Sequence, residues 1–302
     1  MICIKCLKPV DCLYSIYSNN HIQLTDCANC NNVADHYVEI DNVILFIDLL
    51  LLKPGAYRHL VYNSLEAKLS DYPRKESTQG SLIENLYISA YNIKSWLKKF
   101  DNMNRYWILL IAFEVYLTWS SEEQKFNIYR HKFNSSTIVP TTLITSKILA
   151  SDPLYQYIYF ATYCIVDISI FHYLTLYCII NVFNWGKGIK YPEQVISYTI
   201  LLSYGAKIFP ILMLIWPYDT VFSMSVIKWV ANFYLIESLK IVTRLSYSSI
   251  LLTFLFVSVV RLSAAKLILS IIISNSSEEL LSILKSEYQL LIQKYIISKD
   301  FI

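Results

Sequence analysis

The sequence predicts a small zinc ribbon, built from a short β hairpin plus helices, followed by an all-α polytopic membrane domain. Three observations carry that reading. Four cysteines stand in two close pairs near the start, Cys3-Ile4-Lys5-Cys6 and Cys27-Ala28-Asn29-Cys30. The 302 residues are 55% hydrophobic with a mean hydropathy of +0.40, and only 16% are charged, against about 25% in soluble domains. Tyrosine (25 residues) and tryptophan (6) are abundant, and such amphipathic rings favour the headgroup zone of a bilayer. A net charge of +3 is too small to argue for a nucleic-acid partner.

The two Cys-x2-Cys pairs place four thiolates on two tight knuckles, the donor set and spacing of a tetrahedral Zn(Cys)4 site. Cys3, Cys6, Cys27 and Cys30 are the expected ligands of one structural zinc ion. Disulfides are the alternative chemistry, but a fifth cysteine nearby, Cys12, leaves an odd thiol in any such set. Met1-Ile2-Cys3 also lacks the basic start and apolar core of a secretory signal, so the head is expected in the reducing cytosol. Four protein ligands leave no open coordination position, which makes the site structural and not hydrolytic. Cys12 is expected to be a bystander. Cys164 and Cys178, in apolar sequence, are expected to behave as small hydrophobes.

Between the pairs, Leu13-Tyr14-Ser15-Ile16-Tyr17 and His21-Ile22-Gln23-Leu24 read as strands around the turn Ser18-Asn19-Asn20, with Tyr37-Val38-Glu39-Ile40 as a third strand. His36 is surplus to a four-thiolate shell and is expected at the surface. Asp41-Asn42 offers an N-cap to the apolar run 43–52, which falls well short of the about 20 residues that cross a bilayer and must lie on a protein partner, the chain's own membrane domain or the bilayer surface. Asp41 and Asp48 share a face of that helix. A solvated or headgroup-facing stripe is expected there, with a carboxylate pair for acid–base chemistry as the rival. Pro54-Gly55 breaks the helix, and Tyr57, Leu60, Val61 and Leu65 set the period of the next. Arg58 and His59 suit an anionic headgroup or any polar helix face.

The run Tyr37-Val38-Glu39-Ile40-Asp41-Asn42-Val43-Ile44-Leu45-Phe46-Ile47-Asp48-Leu49-Leu50-Leu51-Leu52-Lys53, continuing to Ala56-Tyr57-Arg58-His59-Leu60, resembles the signature of the Arv family, and the preceding cysteine pairs match that family's N-terminal zinc-ribbon domain. The resemblance is close over about residues 1–65. Beyond them the chain shares the family's general plan of a polytopic membrane region. It implies a non-enzymatic, multi-pass protein of the endoplasmic-reticulum membrane, with the Golgi as a second location. The implied role is lipid homeostasis: sterol transport and distribution, sphingolipid balance, and delivery of early GPI-anchor intermediates. The implied partners are sterol, GPI precursors and proteins of the GPI-synthesis or sterol pathways. A scaffold or accessory subunit for one of those enzymes is an alternative, as is a polytopic acyl- or glycosyl-transferase using His172.

The organisation follows. Residues 1–69 form the homology domain with its zinc ribbon, and 70–80, broken by Pro73 and Gly80, the linker. Residues 81–104 form an amphipathic helix with Leu82, Ile83, Leu86, Tyr87, Ala90 and Tyr91 on one face, ending in Lys94, Lys98 and Lys99. Residues 105–276 form the membrane domain, with spans at 155–185, 195–216, 221–242 and 249–274. A short apolar run at 106–119, interrupted by Glu114, decides between four spans and five. Residues 277–302 form an amphipathic tail. Lys94, Lys98, Lys99 and Arg105 before the first apolar run favour a cytosolic head. Asn134-Ser135-Ser136 is a glycosylation acceptor, modified only on the lumenal side. Asp167, His172, Lys207, Arg261 and Lys266 lie within spans, where each charge costs at least about 2.5–3.5 kcal/mol. Pairing between helices and snorkelling are expected for them, a catalytic His–Asp arrangement being the rival. An offset of five residues sets Asp167 and His172 roughly 140° apart on a helix, poor geometry for a dyad.

Overall fold

The computed structural model of the chain describes residues 1–17, 21–70, 82–132, 148–149, 151–205, 220–274, 277–278, 280–283 and 285. The expected turn Ser18-Asn19-Asn20, nearly all of the linker, the acceptor Asn134, Lys207 and most of the tail lie outside these residues. Two compact units form, one from Met1–Ile108, Cys178–Ala206 and Val230–Leu251, the other from Leu109–Tyr177, Lys207–Trp229 and Leu252–Ile302.

In the first unit the two expected strands pair antiparallel as β1 (Tyr14–Ile16) and β2 (Ile22–Leu24), with Tyr14 opposite Leu24 and Ile16 opposite Ile22. The expected third strand does not form. His36–Val38 is one turn of 3-10 helix instead. The cause is Asp35, which occupies the N-cap and accepts the Tyr37 N–H at 3.0 Å, curling the chain and burying the Tyr37 ring.

Helix α1 (Asn42–Leu50) starts at the expected place. Asp41 has the extended backbone of an N-cap, although its side chain makes no capping bond. Leu52 adopts φ 54°, and Pro54 at the first helical position then opens α2 (Pro54–Arg58). A π-helical turn over His59–Ser64 joins α2 to α3 (Leu65–Ser70). Next come α4 (Leu82–Lys99) and α5 (Asp101–Lys132). After them α6 (Pro153–Tyr177) runs into a second π turn, Cys178–Val182. Helices α7 (Pro192–Tyr204), α8 (Thr220–Thr243) and α9 (Tyr247–Ile273) complete the described elements.

The core of the first unit joins Tyr57, Val61, Tyr62, Leu65 and Leu69 of the head to Phe100, Val195 and Val242. A smaller cluster of Ile4, Tyr37, Leu45 and Ala56 ties the first cysteine knuckle to α1 and α2. Gly55 is set by this second cluster, because a Cβ there meets Cε2 of Tyr37 at 2.9 Å and Cδ1 of Ile4 at 3.4 Å. The Tyr37 ring cannot swing away, since its hydroxyl is bonded to Asp48 at 2.9 Å. Gly55→Ala is expected to cost about 1–3 kcal/mol, as overpacked cores do. Thermal unfolding of the purified protein reads this as a midpoint several degrees lower, and an unchanged midpoint overturns it.

Among the described residues, two helical stretches, Pro153–Val182 and Tyr247–Ile268, are long and apolar enough to cross a membrane by length and composition. Their flanks are not covered: Leu252, Leu255, Phe256, Val259 and Leu262 are all more than half exposed along α9. A helix in a soluble core buries such residues, whereas contiguous apolar exposure marks a lipid or partner surface. The short apolar run at 106–119 lies inside α5, a single 32-residue helix. The second unit has its own core of Val115, Ile148, Phe160, Cys164 and Ile283.

Candidate metal centre

The two cysteine pairs build the same knuckle twice. In the first, the Cys3 N–H donates to Lys8 O at 2.9 Å, the Leu7 N–H donates to Cys3 O at 2.8 Å, and Leu7 takes φ 63°. In the second, the Cys27 N–H donates to Asn32 O at 2.8 Å, the Asn31 N–H donates to Cys27 O at 2.9 Å, and Asn31 takes φ 50°. Isolated antiparallel bridges close each knuckle at equivalent positions, Ile2 with Pro9 and Asp26 with Val33. The left-handed residue after each second cysteine turns the chain back on itself. Asn31 tolerates this conformation better than Leu7 does.

The knuckles face each other. Cys3 Sγ lies 3.7 Å from Cys30 Sγ, Cys6 Sγ lies 3.7 Å from Cys27 Sγ, and all four sulfurs fall within 4.8 Å of one another. Disulfide sulfurs stand about 2.05 Å apart, so these thiols are not bonded to each other. A tetrahedral shell with metal–sulfur bonds of about 2.3 Å has edges of roughly 3.8 Å, which the two cross-knuckle separations match. The donor set can therefore hold a metal. Burial pushes the Cys3 thiol up to about 11, while a backbone hydrogen bond at Lys8 pulls the Cys6 thiol down to about 7. Cys12 stays outside the cluster, exposed, with its Sγ 3.6 Å from Thr25 Oγ1. Cys164 and Cys178 are buried as expected of small hydrophobes.

What fixes the knuckles is a buried polar network that sequence reading did not find. Asp35 is fully buried, and its Oδ2 receives Asn63 Nδ2 at 2.7 Å and meets His59 Nδ1 at 2.7 Å. Asn63 also clasps the backbone of Ile2, accepting its N–H at 2.8 Å and donating to its carbonyl at 3.0 Å. The Ile4 N–H donates to Ala34 O at 2.9 Å and so joins one knuckle to the other. The only trace of this in the sequence is polar residues set in otherwise apolar helix, His59 and Asn63 around Leu60-Val61-Tyr62.

Arg58 and His59, expected to face a headgroup or water, are interior staples. The Arg58 guanidinium donates to Ile4 O at 2.9 Å and to Ile241 O at 3.4 Å. Burial, with Arg244 alongside, lowers its pKa from the ordinary value. Tyr62 Oη donates to Val242 O at 2.9 Å, and Trp185 Nε1 donates to Thr243 O at 3.0 Å. Three consecutive carbonyls in the last turn of α8 are orphaned by helix geometry. Here they are satisfied by two residues of the head and one of the loop after α6. Arg244, just past that helix, donates in return to Lys5 O of the first knuckle at 3.1 Å. His36 is exposed, as expected.

Asp48 is not part of a solvated stripe. It is 7% exposed, accepts from Tyr37 Oη at 2.9 Å and pairs with Lys53 at 2.7 Å. Lys53 first, and the tyrosine hydroxyl in support, hold its carboxyl below the usual carboxylate range. Asp41 is exposed at the helix start, so the two aspartates do not form a carboxylate pair. In the second unit Asp167 lies 3.2 Å from Arg261, which also sits over the Phe171 ring at 5.4 Å. That is the inter-helix pairing expected for charges inside spans. The ring of His172 packs edge-on against Tyr173 at 5.3 Å.

Fold and site together define a helical protein with two candidate membrane helices, exposed apolar helix flanks and a paired-knuckle, four-cysteine head bonded to the end of a long helix. The Arv1-like family matches residues 2–239, and the chain belongs to that family. It is 50% identical to Protein ARV1 of Saccharomyces cerevisiae over 97% of this chain and 98% of that one. It is 48% identical to Protein ARV1 of Eremothecium gossypii over 99% of both. The Protein arv1 homolog of Dictyostelium discoideum is 50% identical over 66 residues, 21% of this chain. No solved structure matches.

Proposed function

We propose that the chain is a non-enzymatic, multi-pass protein of the endoplasmic-reticulum membrane that mediates lipid homeostasis through sterol distribution, sphingolipid balance and supply of early GPI-anchor intermediates. In this reading Cys3, Cys6, Cys27 and Cys30 hold one zinc ion in a cytosolic head, and the long helices cross the bilayer. Membership of the Arv1-like family across residues 2–239 is the observation that carries it. The exposed apolar flanks of Pro153–Val182 and Tyr247–Ile268 support the membrane part. The zinc assignment draws on the cross-knuckle sulfur separations. A zinc ion with four thiolates has a net charge of −2, and Lys5, Arg58 and Arg244 surround the knuckles with compensating charge. The non-enzymatic part is supported by the two aspartates most suggestive of catalysis, Asp48 and Asp167, being held in ion pairs.

The test is reconstitution of the full chain in liposomes with fluorescent sterol, ceramide or a GPI precursor. Binding or accelerated transfer of at least one of these, above protein-free liposomes and an unrelated helical membrane protein, is expected. Failure with all three, while a known sterol binder succeeds in the same assay, overturns the reading.

A further inference from the structure

Helix α1 presents an anomaly that the metal centre does not explain. Its inner face is anchored, with Leu45 buried in the core and Asp48 held by Tyr37 and Lys53, and its C-terminal end is tied by the Leu50 carbonyl, which accepts from Tyr234 Oη at 2.7 Å. Its outer face is wholly apolar and uncovered, with Val43 62% exposed, Ile44 51%, Phe46 58%, Ile47 48% and Leu51 64%. At 100° per residue these five side chains fall within an arc of roughly 160°. The ring of bonds on the inner face fixes which side points out, so the exposure is not a matter of helix rotation.

We infer that α1 is an interfacial membrane helix, its outer face seated among the acyl chains just beneath the lipid headgroups. The inference rests on the membrane reading above. Three observations choose lipid over another protein as the occupant. First, the head is bonded to the closing end of α8 through Arg58, Tyr62 and Arg244. The candidate span Tyr247–Ile268 begins three residues after Arg244, so the head sits where a membrane helix leaves the bilayer. Second, Tyr234 stands nine residues before Thr243, which places its bond to α1 about 13 Å along α8 from that end, on the bilayer side if α8 crosses as the membrane reading has it. Phe233, beside it in sequence, is itself 47% exposed. Third, the same unit carries another outward apolar stripe, on α4. Leu86, Ala90, Ile93 and Leu97 recur there at helical spacing beside Lys94 and Lys98, the pattern of a helix resting on anionic lipid. A nine-residue helix is too short to span and long enough to lie in the interface.

The experiment uses the full, zinc-loaded chain in phosphatidylcholine–phosphatidylserine liposomes, with photoreactive benzoylphenylalanine placed singly at Phe46, at Leu255 on the candidate span, or at the exposed Glu39. Mass spectrometry after illumination is expected to show phospholipid adducts at Phe46 and Leu255, severalfold above Glu39. Adducts at Leu255 without Phe46 overturn the inference and leave the membrane reading standing. Adducts at neither position overturn both. A polypeptide adduct at Phe46, whether to a second copy or to another region, overturns it in favour of a protein-docking face.

Discussion

Cys27→Ser is expected to leave the chain without metal and the first forty residues without a fold. Within the segment itself little else holds those residues, and the bonds that tie it to the helices, from Asn63, Arg58 and Arg244, grip knuckle backbone that the metal must first shape. The hairpin β1–β2 has three paired positions with largely exposed side chains, and an isolated two-stranded hairpin is marginal in water. The buried side chains are few: Cys3, Ile4, Leu13, Cys27, Ala34, Asp35 and Tyr37. Metal binding in a shell of this type contributes about 10–16 kcal/mol, which is of the size of a whole domain's stability. A serine hydroxyl is a poor zinc ligand beside a thiolate, so one substitution removes most of it. The loss should not stop at the knuckle. Ile4 and Lys5 supply the carbonyls that receive Arg58 and Arg244, and Arg58 also caps Ile241 in the last turn of α8. Unfolding the knuckle frees the clasp on that helix. Elemental analysis is expected to fall from one zinc per chain to none, and limited proteolysis to cut within residues 1–40 and again near 244. Retention of one zinc by the purified variant overturns the assignment. Cys12→Ser, in contrast, is expected to keep full metal content.

How far the sequence could be read depended on the range of the forces involved. The clustering of the four cysteines was legible because its chemistry is local: two short spacings and one donor type predict it. Helix α1 and the break at Pro54 were legible for the same reason, through apolar run length and backbone chemistry. The third strand was misread because Tyr37-Val38-Glu39-Ile40 has strand composition, while the deciding bond comes from the side chain of Asp35, one residue before the turn. Arg58, His59, Asp48 and Asn63 were opaque. Their partners lie as much as 183 residues away in sequence, as with Arg58 and Ile241, and no spacing rule reports such contacts. A polar residue on an apolar helix looks the same whether it meets water, a headgroup or a buried carboxylate. In the spans the length of α5 was likewise hidden, since propensity continues through the charges that flank the 106–119 run.

Asp35→Ala is expected to loosen the metal without touching a ligand. Asp35 has no exposed surface and gathers three groups: the Tyr37 N–H at 3.0 Å, Asn63 Nδ2 at 2.7 Å and His59 Nδ1 at 2.7 Å. Truncation leaves the asparagine amide and the imidazole facing an apolar hole, and removing one partner from a buried charged arrangement costs about 3–5 kcal/mol. The cost reaches the knuckle because Asn63 is the group that grips Ile2, one residue before Cys3. Each 1.4 kcal/mol is tenfold in an equilibrium constant, so zinc affinity measured by chelator competition should fall by a factor of about 100 or more. Asp35→Asn separates the network from mere volume. Its amide oxygen still accepts from Tyr37 or Asn63, and a neutral His59 can accept from its NH2, so the loss there should stay within about tenfold. If alanine and asparagine weaken zinc equally, the negative charge and not the bonding pattern is what steadies the knuckle. If alanine changes affinity less than threefold, the network is a bystander and the two knuckles orient themselves through the metal alone.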